Sequence, residues 1–177
     1  MNIVVDGDNA FVATGGCTFD PKKSTVVFVH GSGLDHRSWA LQARWFAFHG
    51  FSVFAPDLPV HSLSEGEPIK SIECMGKWLV KALKVSGCES IHLVGHSQGF
   101  LVALEAAGSL GAKLKTLTAV ASATSIPVNE ALVEAAKKAL DDGHHGYVLS
   151  NGILECRQSV TRKIKKLYNQ DIDPERI

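Results

Sequence analysis

In Ile91-His92-Leu93-Val94-Gly95-His96-Ser97-Gln98-Gly99-Phe100, a short apolar run leads into a pentapeptide of the form G-x-S-x-G. Residues 91–94 are typical of a buried strand, and residues 100–110 carry the pattern of a helix. A strand, a sharp turn at a serine and a helix together form a nucleophile elbow, in which the hydroxyl stands clear of the sheet. Gly95 and Gly99 have a steric role there, because a side chain would collide with the neighbouring strand or helix. We therefore predict that Ser97 is a nucleophile.

Two segments upstream show the same change from an apolar strand to a small-residue loop. Residues 25–29 lead into His30-Gly31-Ser32-Gly33, and residues 53–55 lead into Pro56-Asp57-Leu58-Pro59-Val60-His61-Ser62-Leu63-Ser64-Glu65-Gly66. With the pentapeptide, these segments resemble an α/β-hydrolase, whose HG-x-G loop, D-L-P-G-H-G-x-S loop and G-H-S-x-G elbow follow in this order. The resemblance extends from the first residues to about Thr124.

The resemblance implies roles for the residues that match its motifs. Ser97 is the catalytic nucleophile, and the backbone N–H groups of Gln98 and of Ser32, with Gly33 close behind, form the oxyanion hole. Gly95, Gly99, His30 and Gly31 support the elbow and the loop. The chain departs from the motif where Val60 and Ser62 replace the two loop glycines, which makes the usual backbone of that loop doubtful. Phe100 likewise stands where a small residue is common.

The remaining patterns predict an α/β fold with a mostly parallel sheet and flanking helices. Asp6-Gly7-Asp8-Asn9 is typical of a hairpin turn, residues 38–49 and 71–86 of helices, and residues 114–120 of a further strand. Strands that alternate with helices favour parallel pairing with helices on both faces. We assign residues 1–125 to the N-terminal part of the hydrolase core. In residues 126–177 the pattern predicts helices near 129–140 and 158–168. The resemblance implies that this segment is a partial helical cap.

A triad acid and base are not evident in the chain. The resembled family places them after the serine, on loops that follow later strands, yet the 80 residues after Ser97 show one strand and then helices. His144 and His145 lie in a polar turn, and Asp171 and Asp173 in a polar tail. We therefore expect a chain truncated before the acid and histidine, with its C-terminal strands missing. Of the earlier histidines, we expect His36 and His49 at the surface, His92 in the core, and His96 turned away from the Ser97 hydroxyl.

Composition excludes several other classes of protein. Lys plus Arg and Asp plus Glu each number 18, so no net field favours nucleic acid or an anionic membrane. Cys17, Cys74, Cys88 and Cys156 show no C-x-x-C spacing, which argues against a zinc site or a redox pair. No apolar stretch reaches membrane-spanning length, and no signal peptide is visible. We expect a cytoplasmic protein without metal or cofactor.

Two functions from different classes fit these patterns. The first is a serine hydrolase that acts on a small-molecule carboxylic ester; thioester, lactone and carbon–carbon bond hydrolysis, acyl transfer and perhydrolysis stay open. A serine nucleophile argues against the haloalkane dehalogenases and epoxide hydrolases of this fold, which use aspartate. The second is a non-catalytic pseudo-hydrolase that binds a small apolar ligand or a protein. The expected truncation would leave residues 114–120 as an exposed edge strand, through which we expect the chain to self-associate. A stable monomer would favour the binding module.

Overall fold

The computed structural model describes residues 1–123, 134–135, 137–138, 141–142 and 154–176. Within them, six strands form one sheet in the order β1-β2-β4-β3-β5-β6. The strands are β1 (Asn2–Val5), β2 (Asp8–Ala13), β3 (Thr25–Val29), β4 (Ser52–Pro56), β5 (Ile91–His96) and β6 (Leu114–Val120). β2 pairs antiparallel with both β1 and β4, and all pairs from β4 to β6 are parallel. The predicted hairpin and the mostly parallel sheet are confirmed.

The described residues also form four longer helices and three short 3-10 helices. The longer helices are α1 (Ala40–Phe48), α2 (Ile72–Val85), α3 (Gln98–Leu110) and α4 (Leu154–Tyr168), and the 3-10 helices are His36–Trp39, Gly111–Lys113 and Pro174–Arg176. The predicted helix at 38–49 is therefore split between a 3-10 turn and α1. α2 begins as its sequence predicts, because the Ser71 hydroxyl accepts a hydrogen bond of 3.2 Å from the Cys74 N–H.

The sheet has an apolar layer on each face, because alternate strand residues point to opposite sides. Val27 and Val29 of β3 belong to a core that includes residues of α2 and α3, such as Leu79 and Val102. Val26 and Phe28 point the other way and belong to a second core, formed with residues of α1 and with Trp39. The ring centroids of Phe28 and Trp39 lie 5.0 Å apart. Helices therefore cover both faces, as parallel pairing requires.

The chain forms two compact units, residues 1–126 and 127–177. In the second unit, Arg157 is buried on α4 and its guanidinium lies 3.1 Å from a carboxylate oxygen of Glu175. The predicted helix near 129–140 falls largely outside the described residues, of which 134–135, 137–138 and 141 are helical. His144 and His145 also lie outside them. The assignment of this unit as a cap stays a prediction.

No helix in the described part of the chain is both long enough and apolar enough to cross a membrane.

Candidate active site

Ser97 occupies the turn between β5 and α3, where the backbone is left-handed. Its φ and ψ are 51° and −123°, a conformation that serine avoids and that costs on the order of 1–3 kcal/mol. Backbone contacts hold it in place. The Ser97 N–H donates to the Val120 carbonyl at 3.0 Å, and the Ser97 carbonyl accepts from the Phe100 N–H at 3.0 Å. The turn between β5 and α3 has the strained geometry that the pentapeptide predicts.

The two glycines of the pentapeptide lie where neighbouring backbone leaves no room for a side chain. A Cβ on Gly95 would lie 2.3 Å from the Phe100 Cα, at the start of α3. A Cβ on Gly99 would lie 2.3 Å from the His30 carbonyl oxygen and 2.4 Å from that of Val29. These contacts bring α3 directly against the ends of β3 and β5, and Phe100 is buried there despite its size.

The loop after β3 lies beside the serine. A Cβ on Gly31 would be 3.3 Å from the Ser97 Cβ, so the two residues are immediate neighbours. The N–H groups of Ser32, Gly33 and Gln98 donate no hydrogen bond within the described residues. Ser97 is itself partly exposed, and an oxyanion hole would require unpaired backbone donors near such a serine.

His30 is buried, and both of its ring nitrogens are occupied. Nδ1–H donates to the Gly31 carbonyl at 2.9 Å, and Nε2 accepts from the Leu58 N–H at 3.1 Å. This pattern requires a neutral ring with its proton on Nδ1, and burial lowers the pKa of His30 below its ordinary value. The ring therefore connects the loop after β3 to the loop after β4 and has no lone pair free to act as a base.

The family model of the alpha/beta hydrolases matches residues 26–166. This chain belongs to the alpha/beta hydrolase family.

Curated relatives of the chain match over shorter stretches. It is 33% identical over 84 residues to the dihydrolipoyllysine-residue acetyltransferase component of the acetoin cleaving system of Cupriavidus necator, which is 47% of this chain and 22% of that protein. It is also 46% identical over 46 residues to a probable aspartate aminotransferase of Methanocaldococcus jannaschii, which is 26% of this chain and 12% of that protein. The chain thus spans less than a quarter of either relative.

Solved structures show the same hydrolase fold. The thioesterase domain from the curacin biosynthetic pathway is 19% identical, with a TM-score of 0.64 over 99% of this chain and 63% of that domain. Other similar structures include a thermophilic esterase of Thermogutta terrifontis and epoxide hydrolases. At these identities the likeness shows the fold, and the chain spans only part of the length of these structures.

In this member of the family, His36 is hydrogen-bonded to Asp57, a contact that its sequence position does not reveal. Its Nδ1 lies 2.9 Å from Oδ1 of Asp57, and its backbone N–H donates to the same oxygen at 2.8 Å. Asp57 is completely buried, and its Oδ2 accepts from the Leu63 N–H at 3.2 Å. The His36 side chain is only 18% exposed, so the expectation that it lies at the surface is wrong. The buried carboxylate holds the ring and joins the loops after β3 and β4.

The same place holds the one cluster of potential metal ligands found among the described residues. Ligand atoms of Asp35, His36 and Asp57 lie within 4.8 Å of one another. The Asp57 oxygens are used by His36 and Leu63, and the Asp35 carboxylate is bound by the Arg37 guanidinium, which lowers the pKa of Asp35. The hydrogen bonds within the cluster account for these carboxylates without a cation.

The other histidines of the described residues are not hydrogen-bonded to Ser97. His92 is only partly exposed rather than in the core as expected, and its Nδ1 lies 2.9 Å from the Thr116 hydroxyl. The rings of His96 and Trp39 are nearly perpendicular, with centroids 6.3 Å apart, and His49 is exposed and stacked on Trp45, with ring centroids 3.8 Å apart. In the second unit, Asp171 binds Lys165 at 2.6 Å and Asp173 accepts from the Glu175 N–H at 2.9 Å.

In the loop after β4, Val60 and Ser62 both have positive φ, at 60° and 47°. They adopt the left-handed backbone that glycine favours, so replacing the two glycines of the motif does not remove this conformation.

A small cavity of about 190 Å³ lies beside the elbow. It is lined by Leu34, Ser38, Trp39, Gln42, His96 and Val120. Leu34 follows the loop of free amides, and Val120 binds the Ser97 backbone, so this mostly uncharged cavity adjoins the serine. Sequence reasoning missed this lining and the Asp57–His36 pair, because neither has a local signal.

Proposed function

We propose that this chain is a serine hydrolase of the alpha/beta hydrolase family that acts on small-molecule carboxylic esters through an acyl-enzyme at Ser97. The observation that carries the proposal is the strained serine beside free backbone amides. A serine held at left-handed φ is costly, and such strain persists where the surrounding structure maintains it. The equal numbers of acidic and basic residues suit a small neutral substrate better than nucleic acid. We also propose that the protein is cytoplasmic.

The chemical step follows from these groups. The Ser97 Oγ attacks the ester carbonyl carbon, a bond forms between Oγ and the acyl carbon, and the hydroxyl proton passes to a base or to solvent. The carbonyl oxygen gains negative charge, which the N–H groups of Gln98 and of Ser32 or Gly33 stabilise. The oxyanion then re-forms the carbonyl as the bond to the alcohol oxygen breaks, and the alkoxide leaves with that electron pair and takes up a proton from a general acid or from solvent to become the alcohol. Water later attacks the acyl-serine, which releases the carboxylic acid and restores the hydroxyl.

The direction of the Ser32 N–H follows from the peptide unit that it shares with the Gly31 carbonyl. The carbonyl of that unit belongs to Gly31 and accepts from His30 Nδ1–H and from the Leu34 N–H at 3.2 Å. In a trans peptide the N–H points opposite to the carbonyl, and no cis bond occurs in the described residues. The Ser32 N–H must therefore point away from His30 and Leu34. His30 acts as a positioning residue for this donor.

A base for Ser97 is not found in the described residues, since no acid or histidine side chain among them is hydrogen-bonded to its hydroxyl. We therefore expect acylation only by an activated ester, followed by slow release of the acyl group. A serine without its base keeps the part of catalysis that comes from the oxyanion hole and from binding.

The lack of a base for Ser97 among the described residues favours a second candidate, a non-catalytic module of the same fold. His30 has no free lone pair, and the cavity beside Ser97, lined by both apolar and uncharged polar side chains, suits a small ligand. In this case Ser97 would not acquire an acyl group at all.

Acetylation by p-nitrophenyl acetate separates the two candidates. The hydrolase proposal predicts slow release of p-nitrophenol and one acetyl group on Ser97, detected by intact-protein and peptide mass spectrometry. Ser97→Ala should abolish the adduct. Ser109→Ala, which removes an exposed hydroxyl on α3, should leave it unchanged. Absence of any acetyl-Ser97, or equal labelling of the Ser97→Ala variant, would support the binding module. Rapid turnover that depends on Ser97 would instead reveal a base.

A further inference from the structure

The carbonyl of Ser97 has a second donor, which comes from the turn after β6. The Ser122 hydroxyl donates to this oxygen at 2.8 Å, in addition to the Phe100 N–H at 3.0 Å. The Ser122 hydroxyl also lies 3.5 Å from the Ala123 carbonyl, a longer and weaker contact. The bond to Ser97 is therefore its main interaction, and it spans 25 residues of sequence.

This bond acts on the peptide unit that contains the Gln98 N–H. The Ser97 carbonyl and the Gln98 N–H belong to one trans peptide, so fixing the direction of the carbonyl fixes the opposite direction of the N–H. That N–H is free of any acceptor in the described residues and is the proposed oxyanion donor. The arrangement matches the Ser32 donor, whose direction His30 and Leu34 determine through the Gly31 carbonyl.

The backbone around Ser122 shows that the turn is held in place for this contact. Val120 accepts from the Ser97 N–H at 3.0 Å, and Ala121, between Val120 and Ser122, has a left-handed φ of 47°. A non-glycine residue in this region is uncommon and carries strain. The strained turn at Ala121 thus lets the end of β6 bind the Ser97 N–H through Val120, while the turn after β6 binds the Ser97 carbonyl through Ser122.

We propose that Ser122 is a positioning residue that holds the Ser97–Gln98 peptide and so aims one donor of the oxyanion hole. The inference rests on the proposed function, because it assumes that Ser97 is acylated. Without the Ser122 hydroxyl, the Ser97 carbonyl loses one of its two observed donors and the strained peptide can rotate. The Gln98 N–H would then be misaligned with the developing charge, while the nucleophile itself remains.

The test compares Ser122→Thr with Ser122→Val, two side chains of the same shape with and without a hydroxyl. The first readout is the rate at which p-nitrophenyl acetate acetylates Ser97. The second is the infrared carbonyl stretch of ¹³C-labelled acetyl-Ser97, which falls when the oxyanion donors bind the carbonyl. We expect Ser122→Val to slow acetylation about tenfold, since the donor is misaligned rather than removed and full removal costs about a hundredfold or more. Its carbonyl stretch should rise, and Ser122→Thr should behave like the wild type.

Ser86→Ala is the matched control. The Ser86 hydroxyl also donates to a backbone carbonyl at 2.8 Å, that of Ala82, at the end of α2 and away from the elbow. This variant should change neither the rate nor the stretch. Should Ser122→Val not fold, Ser122→Ala carries the same comparison.

Two failures remain distinguishable. Acetylation that persists in Ser97→Ala would overturn the proposed function itself. Acetylation that needs Ser97 but is unchanged in rate and carbonyl stretch in Ser122→Val would overturn the role of Ser122 alone. A loss of rate shared by Ser122→Thr or Ser86→Ala would show a general structural effect and would likewise overturn it.

Discussion

At the scale of single residues, Val60 is held in an unfavourable backbone conformation by the loop after β4. Its φ is 60°, although its side chain branches at Cβ, and such a residue is a genuine outlier in this region. The side chain is 47% exposed, so it gains little from packing. The loop is maintained by hydrogen bonds, among them those from the Ser64 hydroxyl to the Asp57 carbonyl at 2.7 Å and from the Phe11 N–H to the Ser64 hydroxyl at 2.9 Å.

Replacing Val60 with glycine should therefore stabilise the protein. We expect Val60→Gly to raise the free energy of unfolding by about 1 kcal/mol, because relief of left-handed strain outweighs the greater entropy of glycine in the unfolded chain. Urea unfolding measures this change. Val4→Gly is the control, since Val4 is similarly exposed, at 56%, but lies in β1 without positive φ. It should lower the same free energy by about 1 kcal/mol. A loss of stability in Val60→Gly equal to that in Val4→Gly would contradict the argument.

At the scale of the elements, the N-terminal turn of α3 packs tightly against β3, whereas there is space for a side chain at Gly108, near the C-terminal end of α3. Gly99 lies against the carbonyl oxygens of Val29 and His30, where a Cβ would approach within 2.4 Å and 2.3 Å. Gly108 lies in the last turns of the same helix, where a Cβ would meet no atom within 4 Å. Close contact of α3 with β3 at its first turn brings the Ser97 elbow beside the loop after β3.

The two glycines should therefore respond in opposite ways to the same substitution. Gly99→Ala should lower the free energy of unfolding by about 3 kcal/mol or more, because backbone atoms must shift to admit the methyl group. Gly108→Ala should raise it by up to about 1 kcal/mol, since alanine favours the helix and meets no obstacle. Chemical denaturation of both variants tests the pair. A Gly99→Ala protein as stable as the wild type would show that α3 does not pack on β3 in this way.

At the scale of the whole molecule, β6 is the outer strand of the described sheet. Leu114 and Leu117 pack toward the core, whereas Thr116, Thr118 and Val120 are exposed. Among the described residues the strand pairs on one side only, with β5, so the N–H and C=O groups of its other side have no strand partner there. Such groups pair readily with another chain. The charged residues of this segment, Lys113 and Lys115, both lie at its start.

We expect the isolated chain to self-associate through β6. Sedimentation velocity should show a concentration-dependent dimer or larger species, and Thr118→Lys should shift the population toward monomer because a charge on an edge strand opposes pairing. Ser109→Lys adds the same charge on an exposed position of α3 and should leave the association unchanged. A stable monomer of the wild-type chain over a wide range of concentrations would refute the prediction.

The order of strands and helices in residues 1–120 and the position of the elbow could be predicted from the sequence. Apolar periodicity, turn residues and the pentapeptide at Ser97 are local signals, and each describes a few consecutive residues. The sequence by itself therefore determined the class of the fold, the identity of the candidate nucleophile and the family.

Only the tertiary structure decided which distant residues meet around the ends of these strands. His36 meets Asp57 across 21 residues, His30 meets Leu58 across 28, and Ser122 meets Ser97 across 25. Such pairs arise where the ends of neighbouring parallel strands converge at one edge of the sheet, and no periodic pattern records them. A histidine at the presumed surface thus proved to be paired with a buried acid, and a serine without any motif proved to bind the elbow. Their roles depend on distance in space, which the chain sets only when it folds.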